Sequence, residues 1–239
     1  MRTLAISILI VLGATLLALP ATAQYRSPYP APRSEPNVLR FHAGLFQPDG
    51  GPDYWRDKRR EFTGAADGLE DVAAGFDYLR LVSERLAVLG AVNAFEGSLD
   101  QSYLDFVDES GANITHTTSL EIVSFDLGLL WFITHRSAPV VPYIGGGGGI
   151  YSWTLEEKGD FIDFGVEPPV IFTDTFDDKG ETFGWFALAG LDIPVSDTWT
   201  VFVEGKWQWA KDRLGGDFEG FGDLDLSGPE FRAGFSFAF

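Results

Sequence analysis

From Phe231 to the end the chain alternates without a break. Phe231, Ala233, Phe235, Phe237 and Phe239 hold one parity, and Arg232, Gly234, Ser236 and Ala238 hold the other. Strand side chains point to opposite faces with period two, so one face is nearly all aromatic and the other small or polar. Similar segments recur back along the chain. The pattern predicts eight strands at 38–47, 71–82, 86–98, 117–132, 139–155, 182–193, 199–211 and 226–239. In the seventh, Trp199, Val201, Val203, Gly205, Trp207 and Trp209 share a face, while Thr200, Phe202, Glu204, Lys206 and Gln208 share the other. The fourth sets Val123, Phe125, Leu127, Leu129 and Trp131 against Ser124, Asp126 and Gly128. The sixth sets Phe183, Trp185, Ala187, Ala189, Leu191 and Ile193 against Asp192. The third, Leu86 to Gly97, is apolar on both parities and leaves its inner face open.

A soluble barrel hides its apolar face and shows water its charges. Here the fourth, sixth and seventh segments put charge inside and aromatics outside when the sheet closes, which suits a lipid surround. Each segment has at least the roughly 9–11 residues that cross a bilayer at a tilt. The connections alternate in kind: 83–85, 133–138 and 194–198 are short, while 48–70, 99–116, 156–181 and 212–225 are long and charged. The prediction is an all-β, eight-stranded antiparallel up-and-down transmembrane β-barrel over 37–239. Amphipathic aromatics are expected at two interfacial levels. Trp153, Trp185, Trp207 and Trp209 fall beside the long loops; Trp131, Trp199, Tyr143, Phe237 and Phe239 fall beside the short turns and the chain end. Only Trp55 lies within a loop.

Composition changes the picture at the N-terminus. Arg2, an apolar run from Leu4 to Leu19 and the Ala21-Thr22-Ala23 site read as a cleaved signal peptide over 1–23. Residues 24–36, with Pro28, Pro30, Pro32 and Pro36, read as an extended lead-in. There are no cysteines, hence no disulfide, thiol metal site or lipid-anchored cysteine.

Eight strands leave an interior that side chains fill. The inward parity collects Arg40, His42, Asp77, Asp126, Asp192, Glu204, Lys206, Glu230 and Arg232. Lone desolvated ions are costly, so these charges must pair. A seven–eight hairpin centred near Phe218 sets Glu204 opposite Arg232, Lys206 opposite Glu230, Gly205 opposite Phe231 and Trp199 opposite Phe237. Two interior ion pairs are expected, Glu204–Arg232 and Lys206–Glu230. Such a lumen is either a polar plug or a narrow path for ions and small solutes. A lipid-modifying enzyme would need a serine beside a histidine near the outer rim. His42, His116 and His135 show no such pairing, and no enzyme is expected. The run Gly145 to Gly149 lacks the Lys-Ser/Thr of a phosphate loop and lies inside a strand, where it lets neighbours pack against a bare wall.

The loop 156–181 carries nine carboxylates against two lysines, interleaved with Phe161, Phe164, Ile171, Phe172 and Phe176. That mixture implies packing over the barrel mouth or contact with an extracellular partner. Its carboxylates have no calcium-loop spacing, so no metal is assigned. In the first long loop Arg56, Lys58, Arg59 and Arg60 follow Tyr54 and Trp55, a set that reads either as a contact for lipopolysaccharide phosphates or as a solvated charge run. Leader, alternating strands, short turns and terminal Phe239 together resemble the small outer-membrane barrel superfamily of OmpA, OmpX and OmpW. Val38, Arg40, Ala43, Gly44 and Pro48-Asp49-Gly50 are compatible with an OmpW-like opening. The resemblance implies residence in a Gram-negative outer membrane and insertion by the barrel-assembly machinery through Phe239. It implies no cofactor and no nucleic acid, and it leaves function open between scaffold and pore. The chain ends at its eighth strand, so no cell-wall tether is expected.

Overall fold

The computed structural model describes residues 36–51 and 54–239. The expected leader and nearly all of the proline-rich lead-in lie outside the described residues. Eight strands close an antiparallel barrel: β1 (Asn37–Phe46), β2 (Asp71–Leu81), β3 (Leu86–Val107), β4 (Asn113–Phe132), β5 (Val141–Asp163), β6 (Val170–Pro194), β7 (Trp199–Trp209) and, after two short strands, β10 (Gly228–Ala238). Each pairs with its sequence neighbour, and β10 closes on β1 from Val38↔Ala238 to Phe46↔Glu230. The short strands β8 (Lys211–Arg213) and β9 (Asp223–Asp225) form a hairpin in the last long connection. Among the described residues no helix is long and apolar enough to cross a membrane.

Burial alternates along the walls as the parity dictates. Phe125, Leu127, Leu129 and Trp131 are exposed on β4, while Ser124 and Asp126 are buried. Exposed Phe, Trp, Leu and Val therefore form the outer wall, the arrangement of a strand facing lipid outside and a packed lumen inside. The third strand, which sequence left unassigned, turns Ala87, Leu89, Ala91, Asn93 and Phe95 inward.

Two long connections are not loops. β3 and β4 stay paired up to Val107↔Asn113, and β5 and β6 up to Asp163↔Val170. The segments read as loops 99–116 and 156–181 are mostly strand because alternation continues past the rim. Gln101, Tyr103, Ile114, His116, Glu157 and Phe161 still turn to one side. Above the rim both sheet faces are free of lipid, so charged residues enter without breaking the ladder. β2 starts at Asp71, close to the rim, so the extension past Trp153 on β5 belongs to β3–β6 alone and amounts to roughly 30 Å of strand.

The first long connection also differs from a loop. It forms helix α1 (Tyr54–Glu61), which buries Tyr54, Trp55 and Lys58. Spacing of three and four puts these on one helical face, and Phe62 continues it.

Candidate functional site: a closed lumen and its cap

The lumen is filled in three layers. On the side of the short turns, Val38, Leu79, Leu89, Leu130, Phe132, Val141, Phe186 and Leu188 form an apolar layer. On the side of the long connections, Phe46, Tyr54, Trp55, Leu69, Phe95, Ile122, Trp153, Phe218 and Leu226 form another. Between them lies a polar layer to which all eight strands contribute.

That layer is one connected network. Arg40 on β1 donates to Asp192 on β6 at 2.6 Å and to Tyr143 on β5 at 2.9 Å. Its guanidinium lies 3.9 Å over the Phe202 ring. The Tyr143 hydroxyl donates to Glu204 on β7 at 2.8 Å, and Arg232 Nε on β10 donates to the same carboxylate at 2.7 Å. Arg232 also donates to Asn93 on β3 at 3.1 Å. His42 Nε2 stands 3.2 Å from both Arg232 and Asp77 of β2. It can accept from the guanidinium or donate to the carboxylate, one at a time. Lys206 Nζ donates to Asp126 on β4 at 2.6 Å, and Asn93 joins that carboxylate at 3.0 Å.

The register pairs Glu204 with Arg232, Lys206 with Glu230, Gly205 with Phe231 and Trp199 with Phe237. The Glu204–Arg232 ion pair sits in that register. The Lys206–Glu230 pair does not form. Lys206 reaches across the lumen to Asp126, whose other neighbours, Asn93 and Ser124, are neutral. Glu230 instead stands 3.8 Å from Arg232.

Two members of the expected aromatic girdle face inward. Odd positions of β5 point to the lumen, so Tyr143 (1 % exposed) joins the polar network and Trp153 (2 %) joins the upper apolar layer. The Trp153 indole N–H donates to Asp212 at 2.9 Å. Both stand at a strand end, but parity rather than position decides the face. Trp131, Trp185, Trp207, Trp209 and Phe239 are exposed on the outer wall, with Trp199 and Phe237 half-buried beside them. The Gly145–Gly149 run does serve as a bare wall: a Cβ on Gly147 would stand 2.1 Å from the Leu127 carbonyl oxygen, and one on Gly148 would meet the Phe183 ring at 2.7 Å.

The basic set of the first long connection splits in two. Lys58 is buried and donates to Glu157, which also accepts from the Tyr54 hydroxyl, so it is withdrawn from any phosphate. Burial pushes the Lys58 ammonium down from its usual value and the Tyr54 hydroxyl well up. Arg56, Arg59 and Arg60 lie on the exposed side of α1, and Arg60 contacts Asp57 at 3.4 Å. The helical spacing of Tyr54, Trp55, Lys58 and Phe62 was the available signal for this split.

Beside Lys58, His116 sits in a box of rings: Phe62 at 4.6 Å, Phe161 at 5.1 Å and Tyr103 at 6.4 Å between centroids. Burial first, and the nearby Lys58 charge second, hold its pKa down at about 4. His135 lies exposed in a short turn, 3.5 Å from Glu84. The three histidines thus occupy three separate places, and among the described residues none is hydrogen-bonded to a serine. No group of His, Asp and Glu there has the geometry of a metal site.

No family model and no curated protein sequence matches the chain. Solved structures do. The outer membrane protein OprG of Pseudomonas aeruginosa is 11% identical with a TM-score of 0.52, covering 87% of this chain and 97% of that one. Neisserial surface protein A is 10% identical with a TM-score of 0.50, covering 85% of this chain and 96% of that one. At such identities the likeness carries the fold and not the role. By its closed antiparallel ring, its inverted faces and this likeness, the chain has the fold of the small eight-stranded outer-membrane β-barrels.

Proposed function

We propose that the protein is an integral outer-membrane scaffold, closed to flow, that holds a stiff acidic sheet above the membrane for contact with an extracellular partner. The observation that supports this most is the three-layer filling of the lumen. A solute would have to part the lower apolar layer, break an ion-paired network spanning eight strands, and displace the α1 cap. Tyr54 holds that cap against Phe218 of the last long connection, with ring centroids 5.9 Å apart. The outer wall and its Trp-bearing rims support residence in a bilayer, entered through the barrel-assembly machinery. The contact surface is the extension of β3–β6, where Phe164, Ile171 and Phe172 stay exposed among carboxylates.

The test is single-channel recording of the mature chain refolded into planar bilayers, with folding checked by heat-modifiable gel migration. The expected result is silence, both for the native chain and for Glu204→Gln/Lys206→Gln, because the apolar layers remain shut in each. Discrete steps in the native chain, altered by the double change, would replace this reading with a narrow solute pore.

A further inference from the structure

At the outer rim, where β1, β7 and β10 meet the segment that follows α1, a pocket of about 410 Å³ opens outward. Its polar lining comes from Gln47, Asp49, Arg59 and Asp67, and its wall on the lipid side is Trp207 with Pro229. Trp207 is 38% exposed and lies on the outer face, one strand over from Pro229. The pocket is built into the backbone. Gln47 N–H donates to the Pro229 carbonyl at 3.0 Å and Asp49 N–H to the Ser227 carbonyl at 2.8 Å. Gly50 turns the chain at a φ of 59°, and a Cβ there would stand 2.4 Å from that of Ala66. The exit of β1 is thereby pressed against the far wall.

We infer that this pocket is a saccharide-binding site. The side chains of Gln47, Asp49, Arg59 and Asp67 make no hydrogen bond or ion pair with another side chain among the described residues. They offer carboxylate acceptors, guanidinium donors and an amide that does both, which matches the paired hydroxyls of a sugar. An indole beside them provides an apolar surface for the C–H face of a pyranose. Other ligand classes fit less well. Two carboxylates against one guanidinium repel a phosphate, and the four polar groups interrupt the apolar lining of Pro48, Ala65, Ala66, Trp207 and Pro229, which an acyl chain would need unbroken. The volume lies in the range of pockets that hold one small ligand. The indole stands at the level where interfacial aromatics meet headgroups, so the sugar is either free or the outermost part of a glycolipid in the same leaflet. This inference stands apart from the question of whether the lumen conducts.

The test uses the refolded mature chain in phosphatidylcholine vesicles. Saturation-transfer NMR is recorded with a dephosphorylated, deacylated lipopolysaccharide core oligosaccharide as probe and inorganic phosphate as competitor. Saturation of sugar ring protons is expected, unaffected by phosphate. Trp207→Leu is expected to weaken binding about tenfold, the value of one aromatic contact. Asp49→Asn/Asp67→Asn, at two exposed positions, is expected to weaken it at least as much while gel migration stays native. A parallel measurement with intact lipopolysaccharide in the vesicles separates the sources. Comparable affinity for the soluble probe means a free saccharide, and binding only from the bilayer means a glycolipid. No saturation with either probe, saturation unchanged in both variants, or displacement by phosphate would overturn the inference.

Discussion

Lys206 and Glu230 face each other on adjacent strands, yet the lysine gives its charge to Asp126 on the far wall at 2.6 Å. Both atoms are buried, so removing one partner leaves a desolvated ion. Lys206→Met is expected to cost about 3–5 kcal/mol, and Lys206→Met/Asp126→Leu to recover most of it, since an apolar pair of similar volume does not carry that penalty. Glu230→Gln should cost far less, because its nearest cation is 3.8 Å away. Urea unfolding in lipid vesicles checks all three. A Glu230→Gln loss equal to that of Lys206→Met would mean that the adjacent pair carries the interaction after all. The inward parity of these residues was legible in the sequence, and so was the strand register, because one hairpin fixes both. Which charge meets which across the lumen was not, since that depends on how far the wall curves to bring β4 opposite β7. Tyr143 and Trp153 make the same point from the other side. They sit at a strand end, but the glycine run before Trp153 carries no face signal to fix their parity.

At the level of the element, the cap depends on α1 and the β3–β5 sheet holding His116 uncharged between them. In the folded protein its pKa is about 4, against 6.5 for an unperturbed histidine. A depressed histidine pKa means that the unfolded or detached state binds the proton more readily. The contact is therefore fully stable above about pH 6.5 and weakens as pH falls toward 4. The groups around the ring are Lys58 from α1, Tyr103 from β3 and Glu157 from β5. Between pH 7 and 4.5, hydrogen-exchange protection factors, corrected for the intrinsic pH dependence of amide exchange, are expected to fall over 54–62 and 113–118 while those of the strands inside the membrane hold. His116→Phe should flatten that dependence by keeping the box apolar. An equal loss of protection in the variant would show that the sensitivity does not come from His116. Sequence concealed this element for a physical reason. Beyond the rim, charges on both faces hide the strand alternation, and an eight-residue helix rich in Arg and Lys looks like a solvated run until its spacing is followed.

For the whole molecule, the fold was legible because a lipid surround inverts the two faces of a strand, a signal clear in the fourth, sixth, seventh and eighth segments; the extension above the rim had no such constraint. That extension leaves one liability. β6 pairs with β5 down from Val170 but joins β7 only from Trp185, and the β8 segment covers Asp178 to Thr182. Val170 to Phe176 is thus a strand edge rich in β-branched and aromatic residues, with no strand on its open side among the described residues. Such edges pair with copies of themselves unless charge prevents it. Asp174 stands at its middle, in a hairpin carrying nine carboxylates, so two copies repel at low ionic strength. The native chain is expected to sediment as a monomer in detergent at low salt. Asp174→Val is expected to shift it to a dimer as salt rises from about 50 mM to 1 M, where the Debye length falls to about 3 Å. Adding Phe172→Lys to that variant should restore the monomer. Sedimentation velocity decides the matter. A variant that stays monomeric at both salts would show that the edge is blocked by its twist and not by its charge. A native chain that dimerises at low salt would make the partner of this edge a second copy.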